Sequence, residues 1–174
     1  MTITIDTEGL HPSSALCLEM LSWLHERHDL AKALEIGCGN GILSVVTASI
    51  WGAEVVAGDI SPKAIEDTKN SIILHKLNDF ITPLRSDGLQ HAEIKARAPY
   101  DLVICNLLAE LLVQFSLDIK NVIIPNGYII MGGVMQWKAA ETEATYSRLG
   151  FEIQHKISNS PWNCYLWQYK TVNN

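Results

Sequence analysis

The first half of the chain alternates between short apolar runs and segments whose apolar residues recur every three or four positions. Residues 33–36 and 54–58 are short apolar runs, and they predict buried strands. Residues 42–51 between them have the pattern of a helix. Ser61 and Pro62 come next, with serine suited to a helix cap and proline to a first helical turn. The pattern therefore predicts a strand–helix–strand–helix order.

An additional helix is predicted ahead of the first strand. It opens at His11 and Pro12, and its apolar positions include Cys17, Met20 and Leu24. We expect it to belong to an N-terminal helical extension that covers about residues 1–30 of a single domain, 1–174.

The second half of the chain continues the alternation and then breaks it. Further strands are predicted at residues 80–84, 101–105, 128–131, 151–157 and 165–169, and helices at residues 108–122 and 135–149. Only a turn, residues 158–163, separates the last two strands, so these should form an antiparallel hairpin. Strands joined through helices must instead run parallel. The predicted fold class is α/β: a Rossmann-like, doubly wound, seven-stranded sheet, mostly parallel, with a C-terminal antiparallel hairpin.

Length, composition and charge narrow the function classes. The 174 residues, 48% of them hydrophobic and 18% charged, fit one globular domain. The net charge of −6 argues against nucleic acid as a partner, because an acidic surface repels phosphates. The sequence has no apolar run long enough for a membrane span and no export signal, so a cytoplasmic location without a membrane partner is expected. The cysteines lack metal-site spacing, and no feature indicates the oligomeric state.

A glycine-rich loop follows the first predicted strand, with Gly37, Gly39 and Gly41 on alternate positions. Such a loop before a helix suits an anionic group, because unpaired backbone N–H groups face the ligand and no Cβ obstructs its approach. A dinucleotide-binding motif would need another glycine at position 42, where Ile42 stands. This departure disfavours a nicotinamide-dependent oxidoreductase.

Three polar residues follow the next strands, where ligands bind in doubly wound sheets. Asp59 lies 22 positions beyond Gly37, the spacing at which a carboxylate meets a ribose diol. Asp87 could accept from an adenine amine or cap a helix, and the sequence leaves both open. Asn106 could hold an acceptor amine or fix its own loop.

Other candidates for an acceptor site are also left open. His11 could receive a proton, but the sequence favours a structural histidine at a helix start. Aromatic residues near the C-terminus could wall a pocket for an amine or pack onto the core; these are Trp162, Tyr165, Trp167 and Tyr169, together with Trp137.

These residues resemble the class I S-adenosylmethionine-dependent methyltransferases, and more narrowly the PrmA-type ribosomal-protein methyltransferases. The blocks that carry the resemblance are residues 11–18 (HPSSALCL), 37–43 (GCGNGIL), 59–65 (DISPKAI) and 106–109 (NLLA). The resemblance implies S-adenosylmethionine as cofactor and N-methylation of an amine on a ribosomal-protein-like protein or a small molecule. The alternatives are a natural-product methyltransferase and a non-catalytic, cofactor-binding partner subunit.

The resemblance also implies a set of site residues. Ser13 or Ser14 is expected near the methionine end of the cofactor, Asp59 at the ribose and Asp87 near adenine. Asn106, beside the methyl group, is the expected catalytic residue. The full expected cofactor-binding set is Ser13, Ser14, Glu35, Gly37, Cys38, Gly39, Gly41, Asp59, Ile60, Asp87, Gly88, Asn106 and Leu107.

The sequence departs from the family pattern at its N-terminal side. The family has a separate N-terminal domain that grips the ribosomal protein, and we expect this chain to lack it. A longer loop with glycine and threonine precedes the His-Pro block in the family, whereas residues 7–10 (TEGL) precede it here. Closure over the cofactor is therefore expected to differ.

Overall fold

The computed structural model describes residues 9–170, which form seven strands and six helices. The strands are β1 (Lys32–Ile36), β2 (Glu54–Asp59), β3 (Ile81–Arg85), β4 (Tyr100–Asn106), β5 (Ile123–Met135), β6 (Phe151–Asn159) and β7 (Trp162–Tyr169). The helices are α1 (Pro12–His25), α2 (Ile42–Trp51), α3 (Pro62–His75), α4 (Ala92–Arg97), α5 (Ala109–Val122) and α6 (Ala139–Arg148).

All seven strands join in one sheet with the order β3-β2-β1-β4-β5-β7-β6. The first five strands pair in parallel, and β7 pairs antiparallel with both β5 and β6. The predicted fold class, including the antiparallel hairpin, is confirmed. The strand order reverses between β1 and β4, which places a crevice at the carboxyl ends of these neighbouring strands.

Two apolar cores cover the two faces of the sheet. One core contains buried residues of α1, α2 and α3, and the other contains residues of α4, α5 and α6. Local signals start the helices where the sequence predicts them: the His11 ring accepts from the Ser13 N–H at α1, and the Ser61 hydroxyl accepts from the Ala64 N–H at α3. Capping and packing together hold the helix ends that border the crevice.

Several local predictions differ from the structure. The turn between the last two strands is shorter than residues 158–163, because β6 ends at Asn159 and β7 begins at Trp162. The fifth strand is far longer than residues 128–131, since β5 runs from Ile123 to Met135. Its pairing with β4 shifts register between Tyr100 and Leu102. Met135 therefore ends a strand; a 3₁₀ turn, Gln136–Lys138, precedes α6. Helix α4 was not predicted, since its six residues bury only Ile94 and are too few for a periodic pattern.

Within the expected helical extension, about residues 1–30, the structure has helix α1. Residues 1–8 lie outside the described part of the chain, so the single-domain boundaries stay a prediction. Within residues 9–170, no helix combines the length and the apolar character that crossing a membrane requires.

Candidate active site

The glycine-rich loop is fixed to the end of β2. The backbone N–H groups of Gly37 and Cys38 donate to the Gly58 carbonyl at 2.8 and 3.0 Å. Gly41 begins α2 with a φ of 79°, and a Cβ there would lie 3.2 Å from Thr68 Cα. Both the positive φ and the close helix–helix approach require glycine. The loop therefore has a defined shape at the carboxyl edge of the sheet.

Asp59 lies directly beside this loop. Its Oδ2 accepts from the Gly39 N–H at 3.0 Å, and its Oδ1 accepts from the Ser61 N–H at 2.8 Å. The side chain is half-buried and borders the crevice. Because each carboxylate oxygen has two acceptor sites, both oxygens can still accept from a ligand.

The first cleft has a volume of about 220 Å³ and lies over the ends of β1, β2 and β3. Asp59 and Asp87 supply two carboxylates, and α5 supplies an apolar wall through Leu111 and Phe115. The remaining lining residues are Ile36, Gly37, Ile60, Ser86, Gly88 and Leu107. This composition, two acceptors opposite an apolar wall, suits a flat base attached to a hydroxylated ring.

Local contacts orient the β3–α4 loop in this cleft. Gly88 packs against Phe115 so closely that a Cβ would lie 2.6 Å from Phe115 Cε1. The Ser86 hydroxyl donates to the Gly88 carbonyl at 2.8 Å. The cap of α4 is His91, so the interpretation of Asp87 as a helix cap is wrong. The Asp87 side chain is exposed at the cleft.

A second cleft of about 360 Å³ adjoins the first over the end of β4. Its lining residues are His11, Ser13, Asn106, Leu107, Leu108, Leu111, Gly133 and Trp162. Leu107 and Leu111 line both clefts. The two clefts are therefore neighbours that share an apolar partition.

Asn106 has one satisfied and one unsatisfied amide atom. Its Nδ2 donates to the Ser14 hydroxyl at 2.9 Å, whereas its buried Oδ1 has no hydrogen-bond partner. Gly132 lies so close to this oxygen that a Cβ there would be 2.9 Å from it. Buried polar groups are normally paired, so this oxygen has the capacity for one further hydrogen bond.

His11 has a structural role at the start of α1. Its Nδ1 accepts from the Ser13 N–H at 3.3 Å and lies 2.8 Å from the Ser13 hydroxyl. The ring thus serves as the N-cap of α1. The helix-start interpretation is confirmed, and the ring faces Trp162 edge-on at 5.0 Å.

Glu35 is a buried carboxyl at the end of β1, with an exposed fraction of 2%. Burial raises its pKa to about 8, although the hydroxyl and the N–H of Ser44 both donate to it and favour the charged form. The negative charge of Asp59 raises the pKa further. Glu35 is therefore largely protonated at neutral pH and supports the loop from beneath.

The C-terminal aromatic residues divide between the core and the site. Tyr165 and Trp167 are fully buried, so for these two the core interpretation holds. Trp162 alone of the β7 aromatics lines the second cleft. Trp137 is 69% exposed and lines neither cleft.

The structure brings the predicted site residues to the carboxyl ends of the strands, where some line the clefts and others do not. Eight of them line the clefts: Ser13, Gly37, Asp59, Ile60, Asp87, Gly88, Asn106 and Leu107. The other five, Ser14, Glu35, Cys38, Gly39 and Gly41, lie outside the two linings. Sequence reasoning missed Leu111, Phe115 and Gly133, because the helical spacing of the first two signalled only core packing.

Among residues 9–170, no group of three or more His, Cys, Asp or Glu side chains could hold a metal ion.

The sheet order and the glycine loop with its neighbouring carboxylate define an α/β domain of the class I methyltransferase fold. A crystal structure of ribosomal protein L11 methylase from Lactobacillus delbrueckii subsp. bulgaricus superposes with a TM-score of 0.84 at 20% identity, over 94% of this chain and 81% of that one. An RNA methyltransferase from Salinibacter ruber in complex with S-adenosyl-L-homocysteine gives a TM-score of 0.68 at 12% identity, over 99% and 97% of the two chains. These structures are similar in fold.

The sequence profile of the ribosomal protein L11 methyltransferase (PrmA) family matches residues 7–170, and the chain belongs to this family. Its relatives include ribosomal protein L11 methyltransferases from Methylococcus capsulatus, 32% identical over 156 residues, and from Anoxybacillus flavithermus, 28% identical over 158 residues. The alignments cover 88% and 91% of this chain but 50% and 49% of the relatives. The chain thus spans about half the length of these relatives.

Proposed function

We propose that this domain binds S-adenosylmethionine in the first cleft and directs its methyl group toward the second cleft, to an amine nitrogen of a polypeptide. The observation that carries the proposal is the pairing of a two-carboxylate cleft with a neighbouring cleft that is lined by Asn106, whose buried Oδ1 is unpaired. Membership of the PrmA family supports it independently.

The first cleft fits the nucleoside part of this cofactor. Asp59 can accept from ribose hydroxyls, and Asp87 can accept from an exocyclic amine. Leu111 and Phe115 present apolar surface to the face of a base. Gly37 and the N-terminal end of α2 leave room for the close approach of a polar chain.

The second cleft fits the acceptor. The cofactor supplies an electrophilic methyl group when bound, so the protein must align a neutral nitrogen and exclude water. Asn106 Oδ1 can accept from the acceptor N–H and point the nitrogen lone pair toward the first cleft. Ser14 holds the amide in this orientation through Nδ2, and Leu107 and Leu111 shield the passage.

The acceptor class is inferred from the relatives and from charge. The relatives are named for methylation of a ribosomal protein, and the net charge of −6 favours a basic polypeptide over a nucleic acid. Nothing in the site favours a small natural product. A cytoplasmic location remains the expectation from the sequence.

Calorimetry with S-adenosylhomocysteine tests cofactor binding. We expect micromolar or tighter binding by the folded chain, and Asp59→Ala should weaken it by about 10- to 150-fold. Asp79→Ala is the matched control. Asp79 is an exposed carboxylate in the loop before β3, at the amino ends of the strands and away from the clefts. No binding by the intact chain would refute the proposal.

Radiolabelled methyl transfer to amine-bearing peptides and proteins tests the catalytic part. Label on an amine nitrogen, lost in Asn106→Ala, is the expected result. Cofactor binding without transfer to any acceptor would instead indicate a non-catalytic, cofactor-binding subunit.

A further inference from the structure

Trp137 is a large apolar side chain without an evident structural role. It lies on the 3₁₀ turn Gln136–Lys138, which connects β5 to α6, and 69% of it is exposed. An isolated exposed aromatic residue is common on protein surfaces and would indicate little by itself. Trp137, however, lies on a turn whose contacts tie it to the surroundings of the second cleft.

Two contacts tie the turn to segments that continue into the second cleft. The Gln136 N–H donates to the Pro161 carbonyl at 2.9 Å, and Pro161 directly precedes the cleft residue Trp162. Lys138 Nζ pairs with Glu110 Oε1 at 2.8 Å in the first turn of α5. The turn that carries Trp137 is therefore bound to two segments at the mouth of this cleft, because the next residues, Trp162 and Leu111, line it.

Leu108 is a second exposed apolar residue at the same mouth. It is 59% exposed, it lines the second cleft, and it occupies the N-cap position of α5. Serine, threonine, aspartate or asparagine would stabilise the helix there, and Leu108 provides no side-chain cap. An exposed leucine at a cap position indicates a role other than helix stability. We call Leu108 and Trp137 together the apolar rim.

Two carboxylates lie around Lys138, which directly follows Trp137. The carboxylates of Glu110 and Glu141 both act on the Lys138 ammonium; hydrogen bonding and charge from Glu110, and then charge from Glu141, raise its pKa above the usual value. Two acidic groups thus face one basic group beside the rim, and the whole chain carries −6. This charge balance favours a cationic partner.

We propose that the apolar rim docks a basic polypeptide segment that flanks the acceptor amine. The inference rests on the proposed function of the second cleft, with which the rim is continuous through Leu108. Lysine and arginine side chains can stack on the Trp137 ring, and their methylene groups can contact Leu108. A small amine would be contained in the cleft and would not reach Trp137, which does not line it.

Fluorescence anisotropy with a labelled twelve-residue peptide of alternating alanine and lysine tests the proposal. In the presence of S-adenosylhomocysteine, we expect Trp137→Ser to weaken peptide binding about 10-fold. Leu74→Ser is the matched control: Leu74 is 76% exposed but lies in the last turn of α3, at the opposite edge of the sheet. The control should bind the peptide as the wild type does.

Two further measurements separate docking from general charge attraction and from cofactor binding. A peptide of alternating alanine and glutamate should not bind. Calorimetry should give the same affinity for S-adenosylhomocysteine in Trp137→Ser and the wild type. Equal peptide affinities in Trp137→Ser and the wild type, or no binding of the lysine peptide at all, would overturn the docking proposal. Loss of cofactor binding in the wild type would instead overturn the proposed function.

Discussion

The side chain of Leu107 lies directly over Gly37. A Cβ on Gly37 would be 2.5 Å from Leu107 Cδ2, well inside contact distance. The Leu107 backbone is equally confined, because a Cβ on Gly133 would be 2.5 Å from its carbonyl oxygen. Since Leu107 lines both clefts, this contact closes the partition between them. A ligand that extends from one cleft into the other must pass Leu107.

The Leu107–Gly37 contact predicts a coupled effect on stability. Gly37→Ala adds a methyl group both to a positive φ of 76° and to the space of Leu107. In the Leu107→Ala background only the backbone strain remains, so the loss of unfolding free energy caused by Gly37→Ala should be smaller by about 1 kcal/mol. Urea unfolding of the wild type, both single variants and the double variant gives this coupling energy.

Gly39→Ala is the control for this cycle. Gly39 also has a positive φ, 56°, but no atom lies within 4 Å of a Cβ placed there. Gly39→Ala should lower the free energy of unfolding by the same amount with leucine or alanine at position 107. A coupling energy of zero at Gly37 would mean that Leu107 moves aside freely and does not form a fixed partition.

The unpaired Oδ1 of Asn106 predicts a conflict between stability and activity. An unsatisfied buried acceptor costs about 1–3 kcal/mol, so Asn106→Leu should leave the unfolding free energy unchanged or raise it, even though the bond to Ser14 is lost. Methyl transfer should fall at least about 100-fold, because the acceptor nitrogen loses its partner. Thermal unfolding and radiolabel transfer measure the two effects.

Asn163→Leu provides the contrast for Asn106. Asn163 is also an asparagine at the edge of the core, but its Oδ1 accepts from the Ser158 hydroxyl at 2.7 Å and its Nδ2 donates to Tyr165 at 3.3 Å. Its replacement should destabilise the protein by about 2–3 kcal/mol. If Asn106→Leu destabilised as strongly, Oδ1 would have to be satisfied in the free protein.

The β1–α2 unit could be predicted from the sequence because its determinants are local. Glycines at 37, 39 and 41 require a tight turn, and the apolar runs on either side define a strand and a helix. Asp59 follows from the same logic, since the residue after a parallel strand lies at the crevice. The proximity of Asp59 to the loop is borne out by its bond to the Gly39 N–H.

The C-terminal strands show what periodicity cannot decide. Alternate residues of β7, Tyr165 and Trp167, pack in one core, whereas Cys164 and Leu166 pack in the other. A strand buried on both faces has no polar face to orient it, so the sequence could not assign its aromatics to core or pocket. The strand order, which places β7 between β5 and β6, settles the question.

The cleft walls were beyond sequence reasoning for a related reason. Leu111 and Phe115 have the spacing of any core-facing pair on a helix, and the partition at Leu107 depends on β1, β4 and β5 meeting at one point. Such contacts arise from tertiary packing and leave no local pattern.

Burial of Glu35 predicts a fall in stability as the pH rises. Its pKa of about 8 in the folded protein lies above the ordinary value of 4.5, so the folded state binds more protons between these limits and loses stability with increasing pH. Glu35→Gln keeps an acceptor for Ser44 but cannot ionise. Relative to the wild type, this variant should gain on the order of 3 kcal/mol of unfolding free energy between about pH 5 and pH 8. Urea unfolding at both pH values measures the difference. If the unfolding free energies of the two proteins changed equally with pH, the Glu35 carboxyl would not be the group with the raised pKa.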